Sequence, residues 1–94
     1  MVKYTKSNLQ KLELLFKEQE YTIRYEKGNF QSGYCIVQAR KIAVINKFFD
    51  TEARINCLLD ILSTIIVMDG LMSDQSKSLY KAILKSEEFR AQVA

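Results

Sequence analysis

The stretch INCLLDILSTIIVMDGLM, residues 55–72, is the most apolar part of this chain and decides how the rest must fold. Its two charges are Asp60 and Asp69, and its other positions are apolar almost all the way around a helix. A surface helix has one apolar stripe and one polar face. A helix of this composition therefore needs cover on two sides, from its own domain and from a partner.

Length and composition indicate one globular domain. Ninety-four residues, of which 48% are apolar, suffice for a single packed core, so we treat residues 1–94 as one domain. The net charge is +3, and the basic residues are interspersed with acids along the chain. A nucleic-acid-binding domain usually concentrates Lys and Arg on one face, so this balance favours a mixed-charge surface.

The chain lacks the residues on which several common chemistries depend. It has no histidine, which removes the commonest general base and the commonest metal ligand. The two cysteines, Cys35 and Cys57, both lie in apolar stretches, which favours packing roles and a reducing cytoplasm. No stretch is long and apolar enough to span a bilayer, and the first 15 residues lack the apolar core of a secretory signal. We expect no catalytic residue, no cofactor, no metal and no membrane contact.

Apolar spacing predicts a first helix over residues 6–19. Leucines and a phenylalanine recur there at helical intervals, and Ser7 with Gln10 fits a capping box. A second helix is predicted to begin after Asp50, a good N-cap, and to run to about Met68, with Gly70 as its left-handed cap.

A third helix is predicted to begin at Ser73 or Asp74, and a final turn or kinked continuation over residues 87–93.

Between the first two helices the period changes to two, which predicts three strands. These cover residues 21–26, 34–38 and 42–46, and residues 28–33 form a glycine-flanked loop. A turn at residues 39 and 40 sets Val37 opposite Ile42 and Cys35 opposite Val44. If the strands form a meander, one apolar face should consist of Tyr21, Ile23, Tyr25, Cys35, Val37, Ile42 and Val44.

These elements predict an α+β fold of order α-β-β-β-α-α. The sheet is expected to be a three-stranded antiparallel meander with the helices packed on one face. In this arrangement the first two helices cover the sheet and the third helix packs against the second.

Asp60 is the candidate site residue with two interpretations. On an apolar helix it is either a partly buried carboxylate with a raised pKa, which suits proton transfer, or a carboxylate at a rim or paired with Arg or Lys. The loop over residues 28–33 has the glycine spacing of a phosphate loop. It lacks the Lys-Ser/Thr that should follow, so a turn explains it better.

A second possible function is nucleic-acid binding through the exposed sheet face. Basic and aromatic residues on such a face can hold a single strand by stacking and charge. The residues available for this role are Arg24, Tyr34, Arg40, Lys41 and Lys47.

Residues 25–62, YEKGNFQSGYCIVQARKIAVINKFFDTEARINCLLDIL, resemble short uncharacterised bacterial proteins of unknown function. The resemblance covers part of the chain and contains no chemical motif. It implies a cytoplasmic bacterial protein and supplies no activity.

The surplus of apolar surface favours a non-enzymatic protein-interaction domain that forms a homodimer or binds a small protein partner. Large exposed apolar patches mark contact sites in soluble proteins. Cover of the second helix by the third helix instead of by a partner stays open at this level. The expected contact residues are Tyr34, Ile36, Ile45, Ile61, Ile65 and Met68.

Overall fold

The computed structural model describes residues 3–27 and 34–85, which form three helices and a three-stranded sheet. Two short 3₁₀ turns, Gln38–Arg40 and Asp69–Leu71, connect elements. The predicted loop over residues 28–33 and the predicted turn over residues 87–93 lie outside the described residues. In chain order the elements are α1 (Lys6–Glu18), β1 (Thr22–Glu26), β2 (Tyr34–Val37), β3 (Ile42–Asn46), α2 (Thr51–Leu62) and α3 (Asp74–Lys85).

The sheet is mixed, so the predicted antiparallel meander is wrong. Its spatial order is β1-β3-β2, with β3 in the centre, parallel to β1 and antiparallel to β2. The predicted pairing of the last two strands is confirmed, because Cys35 lies opposite Val44 and Val37 opposite Ile42. The error lies in β1, which pairs with β3 and not with β2.

The predicted core face of the sheet is correct for β1 and wrong for the other two strands. Ile23 lies beside Ala43 and Tyr25 beside Ile45, a one-residue shift from the predicted alignment. Because side chains alternate between faces, that shift exchanges the faces of β2 and β3. The covered face therefore carries Ile23, Tyr25, Tyr34, Ile36, Ala43 and Ile45, and the open face carries Cys35, Val37, Ile42 and Val44.

The first helix begins as its spacing predicts, with a different cap. Thr5 is the N-cap and its hydroxyl accepts a hydrogen bond from the Asn8 N–H at 3.1 Å, so the predicted capping box at Ser7 is wrong. Asp50 caps α2 as predicted, accepting from the Ala53 N–H at 2.9 Å.

The second helix ends six residues before the predicted terminus. The hydroxyls of Ser63 and Thr64 donate to carbonyls of the last turn, at 2.6 and 2.7 Å, and β-branched residues follow. Both features lower helix propensity. Residues 65–68 therefore leave the helix, and Gly70 lies in a 3₁₀ turn and not in a left-handed cap.

The third helix packs against α1, whereas the sequence indicated α2. Its start is as predicted, because the Ser73 hydroxyl accepts from the Ser76 N–H at 3.3 Å. Within the described residues, no helix has the length and apolar composition needed to cross a bilayer.

The core lies between the covered sheet face and the helices. It absorbs most of the apolar surface of α2, which contacts both α1 and β3. The core therefore covers most of the apolar surface of α2 for which the sequence predicted a partner, and the exposed part of the apolar run is the segment after α2. The largest fully buried hydrophobic side chains are Leu12, Leu15, Phe16, Ile45, Ile55, Leu58, Ile61 and Ile83, with Leu62 only 2% exposed.

Candidate protein-interaction site

The structure separates the six predicted contact residues into two groups. Ile45 and Ile61 are fully buried, and Tyr34 and Ile36 are half-buried on the covered sheet face. These four pack inside the chain. Ile65 and Met68 lie together in the segment after α2, where Ile65 is half-buried and Met68 is 54% exposed.

That segment forms one wall of a surface groove of about 360 Å³. Ile66, at 88% exposure, is one of the most exposed large apolar side chains of the described residues. We call this feature the Ile66 groove; its lining consists of Tyr21, Lys41, Thr64, Ile65, Ile66 and Met68.

Gln19 fixes the main chain at Met68, in the segment after α2 that lines the Ile66 groove. Its side-chain amide donates to the Met68 carbonyl at 3.0 Å and accepts from the Met68 N–H at 2.7 Å. The amide thus makes the same pair of bonds that a neighbouring strand would make. Gln19 is only 2% exposed, so the clamp lies inside the protein while the side chain of Met68 stays outside.

Two non-glycine residues with positive φ lie beside the groove. Glu20 (φ 66°) precedes β1 by two positions and Lys41 (φ 52°) directly precedes β3. Because β1 and β3 are parallel, both fall at the same end of the sheet, and the Thr22 N–H donates to the Lys41 carbonyl at 2.8 Å. Such conformations cost free energy and cluster at functional sites, which makes this end of the sheet the candidate site.

The groove is mainly apolar, with one cation at its edge. Lys41 Nζ lies 3.8 Å from the carboxylate of Glu20, and the two side chains are 45% and 69% exposed. An ion pair of this kind contributes little to stability in water. The lysine therefore stays available to a ligand, and the groove can accept an apolar side chain next to a negative or polar group.

Two tyrosine–carboxylate hydrogen bonds tie the edge strands to the helices above them. The Tyr25 hydroxyl donates to Glu13, and the Tyr34 hydroxyl donates to Asp60. Asp60 thus has a tyrosine as partner where the sequence suggested Arg, Lys or a free acid. Burial and then the bond to Glu13 raise the pKa of Tyr25, and the bond to Asp60 is the main cause that raises the pKa of Tyr34 to about 12.

The Tyr34 bond should make the protein sensitive to alkali. An unfolded tyrosine has a pKa near 10, below that of folded Tyr34, so its contribution is fully present below pH 10 and is lost as pH rises toward 12. We expect Tyr34→Phe to lower the free energy of unfolding by about 1–2 kcal/mol at neutral pH. Above pH 10, the free energy of unfolding of this variant should decrease less steeply with pH than that of the wild type.

Urea unfolding at a series of pH values measures this difference. Tyr4→Phe is the control, since Tyr4 is exposed near the start of the described chain. Equal slopes for the wild type and Tyr34→Phe above pH 10 would contradict the assignment.

The two cysteines are free thiols in different environments, Cys57 buried and Cys35 exposed. Burial and then the charge of Asp60 raise the pKa of the Cys57 thiol, which keeps it protonated and a poor nucleophile. Cys35 is exposed on the open sheet face and makes no disulfide with Cys57. Across residues 3–27 and 34–85, no group of three or more acidic, cysteine or histidine residues could hold a metal ion.

Comparison of the chain with protein-family models, with curated proteins and with solved structures finds no match. The resemblance of residues 25–62 to short bacterial proteins therefore adds nothing to the argument about function, which must come from the geometry of the chain.

The sequence predicted two residues of the candidate site but not the roles of Tyr21 and Gln19. Ile65 and Met68 were expected as contact residues because the apolar run was longer than one core needs. Tyr21 was assigned to the core face of a strand, and nothing in the sequence marked Gln19. A glutamine at the end of a helix has no pattern that indicates a buried bond to a residue 49 positions away.

Proposed function

We propose that this protein is a non-enzymatic protein-interaction domain that binds an apolar side chain of a partner protein in the Ile66 groove. The observation that supports it is the 88% exposure of Ile66 beside Met68, at the rim of a preformed apolar depression. Exposed apolar surface next to a concave site is the usual mark of a contact surface.

The construction of the groove suits binding. The main chain at Met68 is fixed by Gln19, so little backbone freedom has to be lost when a partner arrives. The methionine side chain itself is flexible and polarisable, which lets it adapt to partners of different shape. A cytoplasmic location fits two free thiols, one of them exposed.

Nucleic-acid binding is less favoured as a second function. Arg24, on the open sheet face, has its guanidinium 2.6 Å from the carboxylate of Glu26, which offsets its charge. Tyr34, the aromatic residue expected to stack on bases, lies on the covered face and donates to Asp60. The open face thus offers little to a phosphate backbone or to bases.

Selection from a displayed peptide library tests the proposed groove. Peptides that bind the immobilised wild-type protein would be synthesised with a fluorophore, and their affinities measured by anisotropy. We expect Ile66→Asp to weaken binding by at least about tenfold, because a carboxylate at the rim must be desolvated against an apolar ligand.

Phe48→Asp is the matched control. Phe48 is 70% exposed and follows β3, at the opposite end of the sheet from Lys41. This variant makes the same change in charge and also removes an exposed apolar side chain, but it should bind within about twofold of the wild type. Failure to select any peptide, or equal losses in the two variants, would overturn the proposal.

A further inference from the structure

The outer edge of β1 offers unpaired backbone groups. The Thr22 N–H donates to Lys41 at 2.8 Å and the Glu26 carbonyl accepts from Lys47 at 3.1 Å, so the even-numbered residues of β1 face β3. By alternation the N–H and C=O groups of Ile23 and Tyr25 point away from the sheet. Among the described residues, no strand pairs with that edge.

A second groove, of about 320 Å³, runs between this edge and α1. Its lining includes Glu13 and Lys17, which are one helical turn apart, together with Tyr21, Ile23 and Tyr25. The bond from Tyr25 to Glu13 shows that residue 13 stands over the end of β1, so Lys17 stands over its beginning.

We propose that a second copy of this chain occupies the edge, its β1 pairing antiparallel with β1 about a two-fold axis through Ile23. The two sheets then join into one of six strands, β2-β3-β1-β1-β3-β2. This surface shares Tyr21 with the Ile66 groove but is otherwise lined by different residues, and neither proposal depends on the other.

Charge favours a second copy as the occupant. With the axis at Ile23, Glu13 of each copy faces Lys17 of the other, which gives two complementary pairs. With the axis at Tyr25, Glu13 would face Glu13. With the axis at Arg24, that arginine would lie directly opposite its equivalent, an unfavourable cross-strand pair.

The hydrogen bonds of this arrangement can be counted. Ile23 opposite Ile23 exchanges two backbone bonds, and each Tyr25 N–H can donate to the Tyr21 carbonyl of the second copy. The Tyr21 N–H already donates to the Phe16 carbonyl at 2.9 Å, so it takes no part. On the covered face the same register places Tyr21 beside Tyr25 of the second copy, an aromatic pair.

Amide hydrogen exchange of the wild-type protein gives the direct test. The amides of Ile23 and Tyr25 should exchange fast at low micromolar concentration and become at least about tenfold slower near millimolar concentration. The Arg24 amide, which points to β3, should be slow at both. Slow exchange of Ile23 at concentrations where the protein sediments as a monomer would mean that the chain covers its own edge, and fast exchange at every concentration would mean that the edge stays free; either overturns the inference.

Cross-linking between Thr22→Cys and Arg24→Cys proteins fixes the register. Both changes are made in a Cys35→Ser background, since Cys35 is exposed on the same face. The Ile23 axis sets Thr22 opposite Arg24, so mixed dimers should dominate on mild oxidation. Dominant Arg24→Cys homodimers, or cross-links of Arg24→Cys mainly to Glu26→Cys, would show one of the other axes and overturn the register.

Sedimentation equilibrium tests the charge argument. Lys17→Glu sets like charges against Glu13 twice and should weaken dimerisation by at least about tenfold. Lys81→Glu, an exposed change on α3, should leave it unchanged. Equal dimerisation by both variants, or a wild type that stays monomeric at high micromolar concentration, contradicts the inference. A selected peptide that still binds such a monomer leaves the Ile66 groove proposal intact.

Discussion

Replacing Phe16 by alanine is expected to lower the free energy of unfolding by about 3–5 kcal/mol, the largest effect of any single substitution proposed for this chain. Phe16 is fully buried and meets the ring of Tyr21 edge-on, with centroids 6.2 Å apart. Alanine removes that contact and leaves a cavity that the surrounding helices fill only in part.

The loss is a large fraction of the total stability, because a domain of this size has a small free energy of unfolding. Total unfolding free energies of small domains are about 5–15 kcal/mol, so Phe16→Ala should unfold at much lower urea concentration or be partly unfolded without urea. Phe16 also lies next to Tyr21, which lines both grooves, so the variant should lose both binding activities together.

Phe48→Ala is the control for the Phe16 variant, with the same atoms removed from an exposed site. Phe48 is 70% exposed, and Lys47 Nζ lies over its ring, 5.3 Å from the ring centroid. We expect its stability to change by no more than about 0.5 kcal/mol. Urea unfolding followed by circular dichroism compares the two, and similar midpoints would contradict the assignment of Phe16 to the core.

Helices were the most predictable part of the fold. In α1 the leucines recur on one face, and all four of its buried residues were recognised from this spacing: Leu9, Leu12, Leu15 and Phe16. The β2–β3 register was equally predictable, because the short connection between Val37 and Ile42 leaves few alternatives.

The position of β1 could not be predicted from local pattern. Both faces of β2 and β3 carry apolar residues, so either face fits a core, and only the pairing partner of β1 decides between them. That partner depends on the path of the chain between Glu26 and Tyr34, which composition does not specify. The same ambiguity explains why Val37 and Cys35 were predicted on the core face of the sheet but lie exposed on its open face.

The end of α2 shows a different limit of the sequence. The apolar run after Leu62 was predicted to continue the helix to Met68, but apolar character does not distinguish helix from extended chain. The β-branched residues at positions 64–67 favour extended backbone. This preference was not used in predicting the helix or the contact site. Ile66 therefore emerged as a groove residue only from the structure.

Gln19→Met is expected to lower the free energy of unfolding by about 1–3 kcal/mol and to weaken peptide binding at the Ile66 groove. Methionine has nearly the same length and can fill the same buried space. It cannot donate to the Met68 carbonyl or accept from the Met68 N–H, so the two bonds at 3.0 and 2.7 Å are lost. The segment over residues 65–68 is then held by fewer contacts, and its ordering becomes a cost of binding.

Gln10→Met is the matched control, because Gln10 lies on the exposed side of α1, the helix that has Gln19 as its C-cap. It should leave both the urea midpoint and the peptide affinity close to those of the wild type. The two measurements separate the contributions of the Gln19–Met68 hydrogen bonds to stability and to peptide binding. A loss of stability with unchanged peptide affinity would mean that Gln19 only joins α1 to the chain after α2. A joint loss, measured where Gln19→Met is still folded, would show that the fixed backbone of Met68 is what makes the exposed apolar segment a binding surface.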